Sequence, residues 1–173
     1  MKNPLKKEYL NQYKESAGGG YEFTGAYYSF SSGEFTKRVV LIILMLSLLG
    51  ALIVASGCLN AGGMKNSFYV ILPYIGEVSA FFALAWNCLR LLFAGQRVKE
   101  YIYKAAYPRL PRISVALSVI AAVSLICSVV FIILNGAEGG AVKCALYIGF
   151  KVLIAVLAFV FRLIILKTEY TLE

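Results

Sequence analysis

Long apolar runs separated by short charged or glycine-rich breaks set the pattern of this chain. The runs are Val39 to Leu59, Phe68 to Leu92, Ile113 to Leu134 and Ala141 to Leu166. Each is near the ~20 residues a helix needs to cross a hydrocarbon layer. The pattern predicts an all-α integral membrane protein, a four-transmembrane-helix bundle built of two hairpins, with the N and C termini cytoplasmic. On this reading residues 1–38 form a cytoplasmic segment, 39–94 the first helical hairpin, 95–112 a basic linker, 113–166 the second hairpin and 167–173 a tail.

The polar stretches carry their own patterns. Asn3-Pro4 reads as a helix start, with Leu5, Tyr9, Leu10 and Tyr13 on one side and Lys6, Lys7 and Lys14 on the other. That distribution predicts either a short helix lying on the leaflet and ended by Gly18-Gly19-Gly20, or a frayed tail. From Tyr21 to Thr36, YEFTGAYYSFSSGEFT repeats EFT around a Ser31-Ser32-Gly33 turn signal and predicts a small β-hairpin. Its aromatic side chains suit an interfacial belt, a cap under the bundle or a docking patch. After the second run, QRVKEYIYKAA predicts a helix that continues past the membrane until Pro108 and Pro111 stop it.

Within the spans, small residues recur at helical spacing. Ser47, Ala51 and Ala55 in the first, and Gly76, Ala80 and Ala83 in the second, mark faces shallow enough for close helix packing. Pro73 is expected to break or bend the second span, because it lacks an N–H and crowds the preceding turn. The two hairpins also share landmarks in the same order: Tyr74-Ile75-Gly76 matches Tyr147-Ile148-Gly149, and Arg90 matches Arg162. Either the chain is a tandem parallel repeat, or two short-looped hairpins simply look alike.

Charge inside the apolar runs is the next signal. Glu77 follows Phe68 by nine residues and Lys151 follows Ala141 by ten. At 1.5 Å per residue both sit about 14 to 15 Å below one membrane boundary, near the bilayer centre. A charge there is costly unless it finds a partner. The expectation is an interior pair, or a charge-lined pathway, formed by Glu77 and Lys151. The competing reading has each side chain snorkel to headgroups. Arg90 and Arg162 fall near the cytoplasmic ends of their spans and read as edge anchors.

Composition supports the membrane class, with 60% hydrophobic residues and a mean hydropathy of +0.76. The net charge of +8 is concentrated beside the predicted cytoplasmic ends, with Lys65 and Lys143 alone on the opposite loops. This arrangement follows the positive-inside rule, suits anionic lipid, and gives no reason to invoke nucleic acid. A charged leader before a full-length first run predicts that this run is a retained span of a multi-pass cell-membrane protein. Cys58, Cys88, Cys127 and Cys144 form no metal-ligand spacing and read as packing residues; Cys58 and Cys144 share the outer face, where a disulfide is the alternative.

The chain has no His and no Asp, and neither a phosphate-cradling nor a dinucleotide motif. The usual general base, the commonest metal ligand and nucleotide cradles are thereby removed. No catalytic, cofactor or metal site is expected. The leading functional expectation is a non-catalytic, self-associating or accessory subunit of a membrane complex. The alternative is a small oligomeric transporter or channel that uses Glu77 and Lys151 near the midplane.

Overall fold

A computed structural model describes residues 13–15, 19, 21–29, 32–59, 64–136, 140–167 and 171–172. Four helices are long and apolar enough to cross a membrane. They are α1 (Ser32–Cys58), α2 (Phe68–Ala94), α4 (Leu110–Asn135) and α5 (Ala141–Leu166), with the short α3 (Glu100–Ala106) between α2 and α4. A helix satisfies its own backbone where no water is present, and the predominantly apolar side chains of these four suit lipid.

Packing follows chain order around a square. α4 lies against both α5 and α2, and α1 closes the ring against α5 and α2. α2 and α5 therefore stand on a diagonal. The start of α1, the end of α5 and the α2–α4 linker lie at one end of the bundle, the terminal face, and the end of α1, the start of α2, the end of α4 and the start of α5 lie at the other, the turn face.

The terminal face is built differently from the reading of its local sequence. Tyr21–Phe23 (β2) does form a strand, but it pairs antiparallel with Tyr13–Glu15 (β1), at the end of the stretch expected to be a leaflet helix. The rest of that expected helix lies outside the described residues. Tyr27–Ser29 (β3) is the middle strand of a second sheet, flanked by Arg97–Lys99 (β4) and Thr171–Leu172 (β5). Ser32 and Gly33, read as a hairpin turn, instead begin α1. The expected extension of the second span is also interrupted. Gly95 has φ of 76°, a left-handed conformation that glycine adopts without penalty, and it ends α2 so that 97–99 can pair as a strand.

Aromatic side chains bind this layer to α3. Tyr28 stacks on Tyr103 at 4.0 Å between centroids, Tyr103 on Tyr107 at 4.8 Å, and Phe23 meets Tyr101 edge-on at 6.1 Å. Lys99 Nζ donates to Tyr13 Oη at 3.3 Å, a bond that holds its ammonium above the ordinary lysine range. Tyr107 Oη ties the layer to α5 by donating to the Ile165 carbonyl at 3.0 Å, and Arg38 Nη1 of α1 donates to the Lys167 carbonyl at the end of α5 at 2.8 Å.

The spans are apolar outside and partly polar inside. Phe82, Trp86, Phe93, Ile126 and Ile133 are exposed, while Ser56, Glu77, Asn87, Ser114, Ser124, Ser128 and Lys151 are buried. Lipid as the solvent explains the outer surface. Trp86 lies eighteen residues along α2 from Phe68, about 27 Å at helical rise, which puts its ring beside the terminal-face boundary. In bilayers of brominated lipid, its fluorescence should be quenched more strongly by bromines near the headgroup than by bromines at the chain ends. The reverse order would contradict this placement.

Small residues at the helix contacts are only partly those singled out by spacing. Gly76 packs under Ile120, where an added Cβ would come within 3.2 Å, and Ala80 packs against the core. Ala55 is half-buried. Ser47, Ala51 and Ala83 point outward and make no internal seam. The closest approaches use residues the periodic pattern passed over. Gly50 lies beneath the Phe81 ring and Gly57 beneath the Tyr74 hydroxyl, and a side chain at either would collide. Across α4 and α5, Ser114 Oγ donates to the Ala158 carbonyl at 2.5 Å and Ser118 Oγ to the Ala155 carbonyl at 3.0 Å, the interhelical hydrogen bonding that lipid favours.

Candidate functional site

Two apolar clusters divide the interior, and Glu77, Ser124, Ser128 and Lys151 lie between them. The larger, toward the terminal face, contains Leu49, Ile53, Leu84, Leu117, Ala121 and Ile154. The smaller, toward the turn face, contains Met64, Val70, Phe131, Cys144 and Tyr147. Along α2, Glu77 falls between Val70 and Leu84. Along α5, Lys151 falls between Tyr147 and Ile154. On α4, Ser124 and Ser128 fall between Ala121 and Phe131, so one layer gathers polar groups from three helices.

At its centre Lys151 Nζ donates to Glu77 Oε2 at 2.5 Å, and both side chains are 0% exposed. The bond runs along the diagonal of the square. It joins the two helices that have little direct contact of their own. Both residues lie about two and a half turns from the start of their helices, as their positions in the chain dictate, and α2 and α5 enter from the same face. Equal depth in antiparallel-paired hairpins is what lets two short side-chain reaches meet on the axis.

The ammonium has further partners. It lies over the Tyr74 ring at 4.8 Å and the Tyr147 ring at 5.1 Å, distances at which the negative face of an aromatic ring attracts a cation. Tyr74 precedes Glu77 by three residues and Tyr147 precedes Lys151 by four, so each tyrosine shares its helix face with the charge. Tyr74 is held in turn by α1. Tyr74 Oη donates to the Ile53 carbonyl of α1 at 3.3 Å, and Ser128 Oγ donates to the Ser124 carbonyl at 2.6 Å beside Tyr147.

The carboxylate is incompletely satisfied. Oε2 takes the lysine, while Oε1 has no hydrogen-bond partner among the described residues, and neither does Ser124 Oγ. Ser124, on the facing helix α4, is the hydroxyl beside Glu77. On the turn-face side of the pair, Ser56, Leu59, Met64, Val70, Tyr74 and Tyr147 line a partly open cavity of ≈ 130 Å³.

The other expected residues lie apart from this centre. Pro73 lies in the second turn of α2, which runs through it unbroken from Phe68 to Ala94. The helix is not interrupted at Pro73, whose missing N–H leaves one backbone acceptor, the Tyr69 carbonyl, without its helical donor. Arg90 is exposed and Arg162 half-buried toward the terminal face, the Arg162 Nε making no hydrogen bond among the described residues. Cys58 is exposed, Cys144 buried, and all four cysteines are free thiols, so the pairing considered for Cys58 and Cys144 is not formed. Tyr74, Tyr147, Ser124 and Ser56 were not distinguished as site residues by sequence. The three- and four-residue spacing of tyrosine to charge was the available signal for the first two.

Comparison of the chain with protein families, with curated proteins and with solved structures returns no match.

Proposed function

We propose that the chain is a non-catalytic membrane subunit, a four-span bundle that associates with itself or with a larger membrane assembly. The observation that carries this reading is the closure of the Glu77–Lys151 pair within one chain, with both side chains fully buried. A charge pair so placed joins α2 to α5 in one register, since sliding either helix by a turn leaves two unpaired charges in a low-dielectric interior. An apolar cluster separates it from the terminal face, so the layer does not form a through-path. Ser47, Ala51 and Ala83, shallow and outward, leave room for a neighbouring helix.

The terminal face is taken as cytoplasmic. It bears Arg38, Arg97, Lys99, Lys104, Arg109, Arg112 and Lys167, the excess that the positive-inside rule assigns to that side and that attracts anionic lipid. The hairpins are taken as a tandem parallel repeat, because Tyr74 and Tyr147, equivalent in the two YIG landmarks, flank the same ammonium.

Mild solubilisation of native membrane should yield this chain with a fixed partner, or with itself, at constant stoichiometry. Reconstituted protein should give no solute or ion flux above that of empty vesicles. A flux abolished by Glu77→Gln would overturn the subunit reading and establish the transport alternative, which the unpartnered Glu77 Oε1 favours.

A further inference from the structure

The two unpartnered oxygens of the polar layer belong to residues of 0% exposure, Glu77 and Ser124, on facing helices. An ionised carboxylate oxygen shut away from every donor is costly, because burial removes its water and returns nothing. Among the described residues no donor is hydrogen-bonded to it. Lys151 directs its ammonium to the other carboxylate oxygen and lies against the two tyrosine rings. The two free oxygens together offer one acceptor and one hydroxyl that both accepts and donates.

The adjacent cavity gives this arrangement a supply route. Its ≈ 130 Å³ exceeds the ~30 Å³ that a water molecule occupies in the liquid. Tyr74 and Tyr147 form part of its wall and also touch the Lys151 ammonium, so these two rings alone stand between the cavity lining and the ammonium. Leu59 and Met64 place its other end at the α1–α2 connection. Toward the terminal face the fully buried Leu84, Leu117, Ala121 and Ile154 close the route.

We propose that Glu77 Oε1 and Ser124 Oγ bind a small neutral hydrogen-bond donor, a water molecule in the native protein, which enters from the turn face alone through the cavity lined by Ser56, Tyr74 and Tyr147. Charge selects a neutral ligand. A cation on Oε1 would meet the Lys151 ammonium on the same carboxylate, and an anion would meet Glu77 itself. The inference rests on the closed pair described under the proposed function.

Two measurements test it. The first compares Ser124→Thr, which keeps the hydroxyl, with Ser124→Val, which replaces it by a methyl of similar size. Thr should leave the melting temperature of the detergent-solubilised protein near that of the wild type, and Val should lower it by about 5 °C. In the Glu77→Leu/Lys151→Met background, where no carboxylate needs a donor, Val should cost no more than Thr. Equal melting temperatures for Thr and Val in the otherwise native chain would overturn the site. So would a Val loss that persists in the charge-free background, the mark of packing alone.

The second measurement replaces the native cysteines by alanine and introduces Ser56→Cys or Leu84→Cys in sealed proteoliposomes. A membrane-impermeant thiol reagent should label the first roughly tenfold faster than the second, and from the turn face only, because the reactive thiolate needs hydration. Equal rates, or labelling from the terminal face, would overturn the entry route. Failure of the pair itself is read separately, from the coupling between Glu77 and Lys151.

Discussion

Glu77→Gln is expected to destabilise the folded bundle by about 3–5 kcal/mol, the cost of leaving a buried charge without its counter-ion. Lys151→Met should lose a similar amount for the converse reason, since Glu77 then keeps its charge among Ser124, Tyr74 and Tyr147 with no ammonium opposite. The double change should recover much of the loss. With both charges gone, neither desolvation nor attraction remains, and a coupling of roughly 2 kcal/mol or more should separate the double variant from the sum of the singles. Reversible unfolding in mixed micelles measures it. Simple additivity would mean that the two charges are solvated independently, and the joining of α2 to α5 would have to be explained by packing alone.

The second large effect is at Phe161. Its side chain is 0% exposed in the larger apolar cluster, whereas Phe159, two residues earlier on α5, is 48% exposed to the lipid side. In a bilayer the two differ for a reason that does not apply in water. Lipid solvates a phenylalanine about as well as a protein core does, so transfer contributes little, and what remains is the close packing lost when a cavity opens. At about 24 cal/mol for each Å³ left empty, Phe161→Ala should cost about 2–3 kcal/mol. Phe159→Ala should cost less than about 0.5 kcal/mol, because acyl chains fill the space. Comparable losses at the two positions would show that α5 does not present these faces to core and lipid.

The burial of these residues separates interior from lipid more sharply than hydrophobicity does. Ser114, Ser124 and Ser128 are buried while Ile126, Ile133 and Phe93 are exposed, the inverse of a water-soluble core. The pair fits that logic. Polar groups in a membrane bundle collect where other polar groups can satisfy them, and here three helices contribute to one layer between two apolar clusters. The same logic makes the layer sensitive. Its satisfied half, the Lys151 to Glu77 bond, holds two diagonal helices, and its unsatisfied half, Oε1 with Ser124, accepts a ligand.

The sequence by itself determined the four spans, because a run of about twenty apolar residues has few stable alternatives to a helix in lipid. It also determined the depth of Glu77 and Lys151, since a helix converts residue count into distance. Tertiary structure alone decided what those depths meant. Whether a side chain at a given level faces lipid, a neighbour or the axis depends on helix rotation. The spacing of Ser47, Ala51 and Ala83 could not reveal that they point outward, while Gly50 and Gly57 meet aromatic rings. The terminal face was the least legible part for a related reason. The stretch from Tyr21 was readable as β structure, but as one hairpin turning at Ser31-Ser32-Gly33, whereas Tyr21–Phe23 and Tyr27–Ser29 are separate strands whose partners come from Tyr13–Glu15, Arg97–Lys99 and Thr171–Leu172. A strand's pairing edge carries no address in its own sequence. Local pattern thus specified the elements, and contacts distant along the chain specified their faces and partners.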